Sequence, residues 1–222
     1  MSTYVLIHGA GGSAWDWHLV EPELRARGHE VIAMDLPCDD DSTGLSEYAD
    51  AVIAAIGGRT DLIVVGHSLG GFTAPLVCDR VPVQRLVFLA GMIPKPGETP
   101  GEWWAASGYE RMAREQEAKG ERATDEVALF MHDVPPELLA EATRRGRNQS
   151  GTPMEKPWPL QTWPSVPTSF VLCRDDRFFP ASFLRQLAKE RLGITADEID
   201  GSHCVYLSRP AELAARLAAY AP

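Results

Sequence analysis

The sequence predicts an α/β protein built on a mostly parallel β-sheet with helices on both faces. Three observations lead to this fold class. Short apolar runs of strand length alternate with longer amphipathic stretches of helical length, as in βαβ units. The apolar runs are continuous, which is typical of strands buried on both faces. The chain has 222 residues, a length that suits one domain around one hydrophobic core.

The first half of the chain alternates four strands with three helices. Residues 3–8 form an apolar run that stops at Gly9, as expected for a buried strand. Residues 14–27 have apolar side chains at helical spacing and stop before Gly28, although Pro22 indicates either a break or a late start. The other elements follow the same two patterns: strands at 29–35, 61–66 and 84–91, and helices at 45–57 and 68–80.

A segment with many prolines, residues 92–165, interrupts this alternation. It contains four of the six tryptophans, has no convincing strand and is too apolar for a disordered linker. The elements predicted within and after it are helices near 102–119, 123–132 and 135–146, then strands at 168–174 and 194–200 and helices at 181–191 and 209–220. We therefore predict one domain, residues 1–222, with an insertion at 92–165.

Charge and composition argue against several classes of function. The formal net charge of −10 disfavours binding to nucleic acid or to an anionic lipid surface. No apolar run is long enough to span a membrane and no leader peptide is recognisable, so we expect a cytoplasmic protein without membrane contact. The four cysteines are far apart and are expected to be reduced. The histidines lack ligand spacing, so no metal is expected.

A G-x-S-x-G motif at residues 66–70 is the strongest chemical signal. The bare pattern has limited specificity, and a simple glycine-rich turn is the alternative. Its context decides between the two, because it follows the apolar strand 61–66 and precedes a helix. A sharp strand–turn–helix connection of this kind exposes a nucleophilic serine, here Ser68, at the edge of a sheet. A phosphate-binding loop is disfavoured because no lysine follows the glycines.

A serine hydroxyl needs a base to become a nucleophile, and later parts of the chain supply candidates. His203 follows the strand 194–200, and two aspartates, Asp175 and Asp176, follow the strand 168–174. The carboxyl ends of parallel strands meet at one edge of a sheet, so these residues should lie beside Ser68. The sequence pattern alone leaves both aspartates open. The remaining histidines are expected to be structural or exposed: His8, His18, His29, His67 and His132.

A glycine-rich stretch, residues 8–12, directly follows the first strand. Acyl transfer requires backbone N–H groups that point at the developing oxyanion. The N–H of Leu69, next to the nucleophile, is one predicted donor and the N–H of Ala10 is the other. A flexible glycine turn is the alternative interpretation. A dinucleotide-binding fingerprint does not fit, because position 14 is Ala rather than Gly.

At this point the sequence resembles a known group, the hydroxynitrile lyase and plant methylesterase branch of the α/β-hydrolase superfamily. The motifs that carry the resemblance are VLIHGAGGSAWDW (5–17), GHSLGG (66–71), CRDDRFFP (173–180) and DGSHCVYLSRP (200–210). The resemblance implies a six-stranded core, a helical lid at 92–165, a Ser-Asp-His triad and no cofactor. The family's acid commonly stands four residues before a proline, which selects Asp176 because Pro180 follows at that distance.

Two departures from the lyases of this group favour an esterase. The lyases have a hydroxyl residue after the first histidine and a lysine after the catalytic one, whereas Gly9 and Cys204 occupy these positions here. We therefore expect a serine hydrolase that cleaves small to medium carboxylic esters through an acyl-enzyme. The alternatives are a lyase or cyclase on the same triad, or a ligand-binding protein with vestigial activity.

The lid is expected to cover Ser68 and to contribute an apolar substrate pocket. At most half of the apolar lid candidates are expected to touch ligand, because most should pack the lid onto the core. The predicted pocket residues are Gly9, Trp103, Trp104, Phe130, Met131, Trp158 and Cys204. The expected partner is a small-molecule ester, and a homodimer is possible.

Overall fold

A computed structural model describes all residues, 1–222. It contains one sheet of six strands, all parallel, in the order β2-β1-β3-β4-β5-β6. The strands are β1 (Thr3–Ile7), β2 (Glu30–Ala33), β3 (Leu62–His67), β4 (Val83–Leu89), β5 (Thr168–Cys173) and β6 (Asp197–Ile199). The predicted fold class is confirmed.

Ten helices surround the sheet. They are α1 (Val20–Ala26), α2 (Leu45–Ile56), α3 (Gly70–Arg80), α4 (Pro100–Ala106), α5 (Tyr109–Ala118), α6 (Glu126–Phe130), α7 (Pro136–Arg145), α8 (Ala181–Leu192), α9 (Val205–Ser208) and α10 (Pro210–Ala218). The chain moves outward from β1 to β2 and then reverses, so right-handed crossovers place α1 on one face and α2 and α3 on the other. In agreement, α1 packs on α10 and α2 packs on α3. No helix is long and apolar enough to cross a membrane.

Two predicted helices are interrupted in the structure. The stretch 14–27 is a 3₁₀ turn, Ala14–Trp17, followed by α1, which begins at Val20. Pro22 therefore lies in the first turn of α1, where a missing N–H costs no helical hydrogen bond. The predicted helix 102–119 is divided into α4 and α5 by Gly108, whose φ of 84° ends a right-handed helix.

The segment between β4 and β5 contains α4 to α7 and no strand. Two buried tryptophans fix it to the core through their indole N–H groups. Trp103 donates to the carbonyl of Ile93 (2.9 Å), and Trp158 donates to the carbonyl of Phe72 in α3 (3.0 Å). Trp158 therefore anchors the segment to α3, whereas the Trp103 bond fixes α4 to the start of the segment itself.

Candidate active site

Ser68 lies on a strained turn at the carboxyl end of β3. Its φ of 49° is left-handed, which is costly for a residue with a side chain. Two neighbouring glycines make the turn possible. A Cβ atom on Gly66 would lie 2.7 Å from the carbonyl oxygen of Gly70, and one on Gly71 would collide with the backbone of Met92. This packing holds the serine above the sheet edge, as the motif predicts.

His203 and Asp176 form a buried pair beside this turn. The imidazole Nδ1 lies 2.7 Å from Asp176 Oδ2, and both side chains are at most 4% exposed. The other carboxylate oxygen accepts the backbone N–H groups of Phe178 and Phe179, both at 2.8 Å. Because the carboxylate can only accept, His203 donates from Nδ1 and keeps Nε2 free to act as a base.

The structure brings Asp176, and not Asp175, to the imidazole. The Asp175 carboxylate instead accepts the backbone N–H of Gly201 at 3.0 Å. Both aspartates therefore support the loop that carries His203, but only Asp176 can orient its ring.

Residues 130–133, here called the clamp, hold the same loop from the other side. Asp133 Oδ2 accepts the N–H of Ser202 at 3.0 Å, and the carbonyl of Phe130 accepts the N–H of Cys204 at 3.1 Å. The backbone N–H groups of the residues on both sides of His203 thus donate to the clamp, which belongs to the predicted lid. The insertion therefore contributes to the position of His203 as well as to the cavity.

His67, next to Ser68, is a structural histidine, as expected. Its Nε2 lies 3.1 Å from the backbone carbonyl of His203 and donates to it. Burial holds the pKa of His67 well below its usual value, and the nearby His203 lowers it further. The ring is neutral and ties the nucleophile turn to the histidine loop.

The glycine loop after β1 presents a free backbone donor. The neutral His8 ring donates from Nδ1 to the carbonyl of Gly9 (2.7 Å) and accepts the N–H of Leu36 at Nε2 (3.0 Å). Since the peptide is trans, the N–H of Ala10 points away from this anchored carbonyl. Neither this N–H nor that of Leu69 donates to another group of the protein. Two such donors beside Ser68 suit an oxyanion.

A cavity of about 470 Å³ unites these groups. Ser68, His203, Ala10 and Leu69 line it, whereas Asp176 lies behind the histidine. Of the predicted pocket residues, those on its wall are Gly9, Trp104, Phe130, Met131 and Cys204.

Two predicted pocket residues, Trp103 and Trp158, do not line the cavity. Both side chains are fully buried, and backbone carbonyls in the core accept their indole N–H groups. A buried indole requires such an acceptor, and these acceptors lie away from the cavity. The assignment of these two tryptophans to the pocket is therefore corrected.

Several wall residues were not singled out in the sequence. Phe178 lies 4.5 Å from Phe130 between ring centroids, and Tyr206 lies 5.0 Å from His67. Asp16 also lines the wall. Phe178 and Tyr206 stand two and three residues after catalytic positions, which is a signal that sequence reasoning could have used.

Cys204 is an uncharged wall residue. Burial raises the pKa of its thiol to about 12, and the hydroxyl of Tyr206 donates to the sulfur at 3.3 Å. The position after the catalytic histidine therefore carries no charge at neutral pH.

The parallel sheet and the Ser-His-Asp constellation at its carboxyl edge define a hydrolase-like fold and site. Comparison with known proteins agrees: residues 4–216 match the model of the alpha/beta hydrolase family, and the chain belongs to this family.

The relatives include plant enzymes of the branch that the sequence resembles. The probable esterase PIR7A of Oryza sativa subsp. indica is 31% identical, covering 95% of this chain and 93% of the relative. Norfluorocurarine synthase 1 of a Strychnos species is 25% identical, with coverages of 95% and 91%. The crystal structure of polyneuridine aldehyde esterase has the same fold, with a TM-score of 0.81 over the full length of both chains and 19% identity.

Proposed function

We propose that the protein is a serine esterase that hydrolyses small to medium, uncharged carboxylic esters. The observation that carries the proposal is the joint presence, on one cavity, of Ser68, the Asp176-oriented His203 and two unpaired backbone donors. Relatives named as esterases support the same chemistry. The four unpaired thiols support a cytoplasmic location.

The proposed reaction has two stages. Ser68 Oγ attacks the ester carbonyl carbon while His203 Nε2 takes the hydroxyl proton, and the negative oxygen binds the N–H groups of Ala10 and Leu69. The C–O bond to the alcohol then breaks, and His203 returns the proton to the departing oxygen. Water, deprotonated by His203, then attacks the acyl carbon. The bond between this carbon and Ser68 Oγ breaks, His203 returns the proton to Oγ, and the carboxylic acid is released. Asp176 stabilises the imidazolium in both stages.

The second candidate is a non-hydrolytic enzyme on the same triad. It is favoured by the similarity to norfluorocurarine synthase. Against its cyanohydrin-lyase version, the uncharged Cys204 cannot stabilise departing cyanide. A hydroxyl-bearing side chain at Gly9 would also be crowded, since an added Cβ atom would lie 3.0 Å from the Ser68 Cβ atom and the two would have to move apart. The third alternative, a binding protein with vestigial activity, predicts ligand binding without turnover.

The test is a panel of p-nitrophenyl and methyl esters, assayed with the wild type and with Ser68→Ala. We expect wild-type cleavage of several esters and a loss of kcat of up to about a millionfold in the variant, the scale of a removed serine nucleophile. Circular dichroism controls for folding of the variant. Cleavage that persists in a folded Ser68→Ala, or robust release of cyanide from mandelonitrile by the wild type, would contradict the proposal.

A further inference from the structure

The cavity is also lined by a carboxyl group that the reaction described above does not use. Asp16 lies in the 3₁₀ turn Ala14–Trp17 and contributes to the cavity wall. Its Oδ2 atom lies over Gly12, so close that a Cβ atom at this glycine would collide with it. The carboxyl is therefore held against the loop that carries the Ala10 N–H.

This carboxyl has few partners within the protein. Its one hydrogen bond is long, 3.3 Å from the N–H of Ser13 to Oδ2, and Oδ1 accepts none. The two arginines of the cavity wall, Arg145 and Arg147, are paired with other carboxylates. A half-buried carboxyl on the cavity wall, with an oxygen that no protein group uses, can pair with a polar group of a ligand.

The surroundings of Asp16 set its charge. Burial raises its pKa to about 7, and the neighbouring Asp35 carboxylate contributes to the increase. His8 on the glycine loop, with a pKa lowered by burial, is neutral at pH 7. Cys204 and Tyr206, from the segment after His203, have pKa values raised by burial and are also neutral. Asp16 thus changes from acid to carboxylate near neutral pH.

We propose that Asp16 is a specificity-determining residue that binds a hydroxyl group on the substrate. The inference rests on the proposed function and narrows it to hydroxy-substituted esters. In a mostly apolar pocket, a few polar groups fix the orientation of the ligand. A hydroxyl both donates and accepts, so it pairs with Asp16 in either protonation state.

Other ligand groups fit this position less well. A methyl group would leave the carboxyl unpaired, and a carboxylate would be repelled once Asp16 ionises. An ammonium group would pair only with the ionised carboxylate and not with the acid. The hydroxyl is therefore the group that matches the site across the pH range.

The test compares esters that differ by one hydroxyl-to-methyl replacement. For the acyl half, p-nitrophenyl 3-hydroxybutanoate is matched with p-nitrophenyl 3-methylbutanoate. For the alcohol half, 2-hydroxypropyl phenylacetate is matched with 2-methylpropyl phenylacetate. We measure kcat/KM for each pair with the wild type, Asp16→Asn, Asp16→Leu and the control Glu126→Gln, which changes an exposed carboxylate on the same cavity.

In at least one pair, the wild type should prefer the hydroxy-ester about tenfold to a hundredfold, the scale of leaving a buried polar group unpaired. Asp16→Asn and Glu126→Gln should keep the preference, because an amide also pairs with a hydroxyl, whereas Asp16→Leu should lose it. No wild-type preference in either pair would overturn the inference, and so would a preference retained in Asp16→Leu. If Asp16→Leu does not fold, Asp16→Ala takes its place, with the same two outcomes.

A binding measurement separates this inference from the proposed function. Dissociation constants of the same four esters are determined for Ser68→Ala and for Ser68→Ala with Asp16→Leu. A hydroxyl preference that depends on Asp16 supports the inference even if the wild type cleaves none of the esters, a result that would contradict only the esterase. Equal binding within both pairs overturns the inference even if cleavage occurs.

Discussion

The two walls of the cavity are built differently. The wall at the sheet edge consists of strand ends, tight turns and backbone N–H groups, and hydrogen bonds fix the Asp176 carboxylate, the His203 ring and the carbonyl of Gly9. The wall from the insertion consists largely of side chains on or beside short helices, among them Trp104, Phe130 and Met131. The proposed chemistry therefore depends on the sheet edge, whereas the insertion shapes the part of the cavity that a substrate would fill.

The clamp is the exception to this division. It comes from the insertion, yet it binds the backbone on both sides of His203. Changes at the sheet edge should therefore abolish turnover, whereas changes at the clamp should only reduce it.

The largest effect is expected at the sheet edge, from the matched variants Asp176→Asn and Asp175→Asn. Asparagine at 176 presents an NH₂ group that favours the wrong imidazole tautomer, so kcat should fall roughly a thousandfold to ten-thousandfold. Asparagine at 175 still accepts the N–H of Gly201, and its cost should stay below about tenfold. Steady-state kinetics on one p-nitrophenyl ester measures both, and the reverse order would reassign the acid.

This pair also shows where sequence reasoning reached its limit. Ser68 could be predicted because its strand, turn and helix are adjacent in the chain, and His203 because parallel strands end at one edge. The choice between Asp175 and Asp176 depends on which carboxylate accepts the N–H groups of the following turn. The two aspartates are adjacent, so the pattern of strands and helices predicts the same sheet edge for both. The resemblance to a family supplied the choice that residue patterns left open.

The tryptophans show a second limit. The insertion contains three tryptophans that were predicted to line the pocket, Trp103, Trp104 and Trp158. Only Trp104 lines the cavity. Which way an indole points is decided by distant acceptors such as the carbonyls of Ile93 and Phe72. Patterns within a short segment contain no information about such acceptors, so the strands were predicted more accurately than the lid.

A smaller effect is expected at the clamp. Asp133→Ala leaves the N–H of Ser202 without its acceptor, which should let the His203 loop move and lower kcat about tenfold with little change in KM. Asp133→Asn retains an acceptor oxygen and should restore most of the loss. If Asp133→Ala raised KM and left kcat unchanged, the clamp would belong with the substrate-binding part of the insertion.

The smallest effect concerns stability rather than turnover. It tests the charge state of Asp16 on the cavity wall. The pKa of Asp16 is raised from 3.8 to about 7 in the folded protein by burial. Between these values the folded state holds a proton that the unfolded state has lost, so the contribution of Asp16 to stability falls as pH rises from about 4 to 7 and is constant above 7.

Asp16→Asn removes this ionisation and keeps an acceptor for the Ser13 N–H. Its melting temperature relative to the wild type should therefore increase between pH 5 and pH 8, by on the order of 5 °C after allowance for partial solvent access. The control Asp40→Asn should show no such change between pH 5 and pH 8, because hydrogen bonds from Ser42 lower the pKa of that exposed carboxyl, which is then ionised in the folded and the unfolded state across this range. Thermal melts of the three proteins at both pH values measure both differences. A pH-independent difference for Asp16→Asn would mean that Asp16 is already ionised at pH 5, and the cavity would then carry a fixed negative charge.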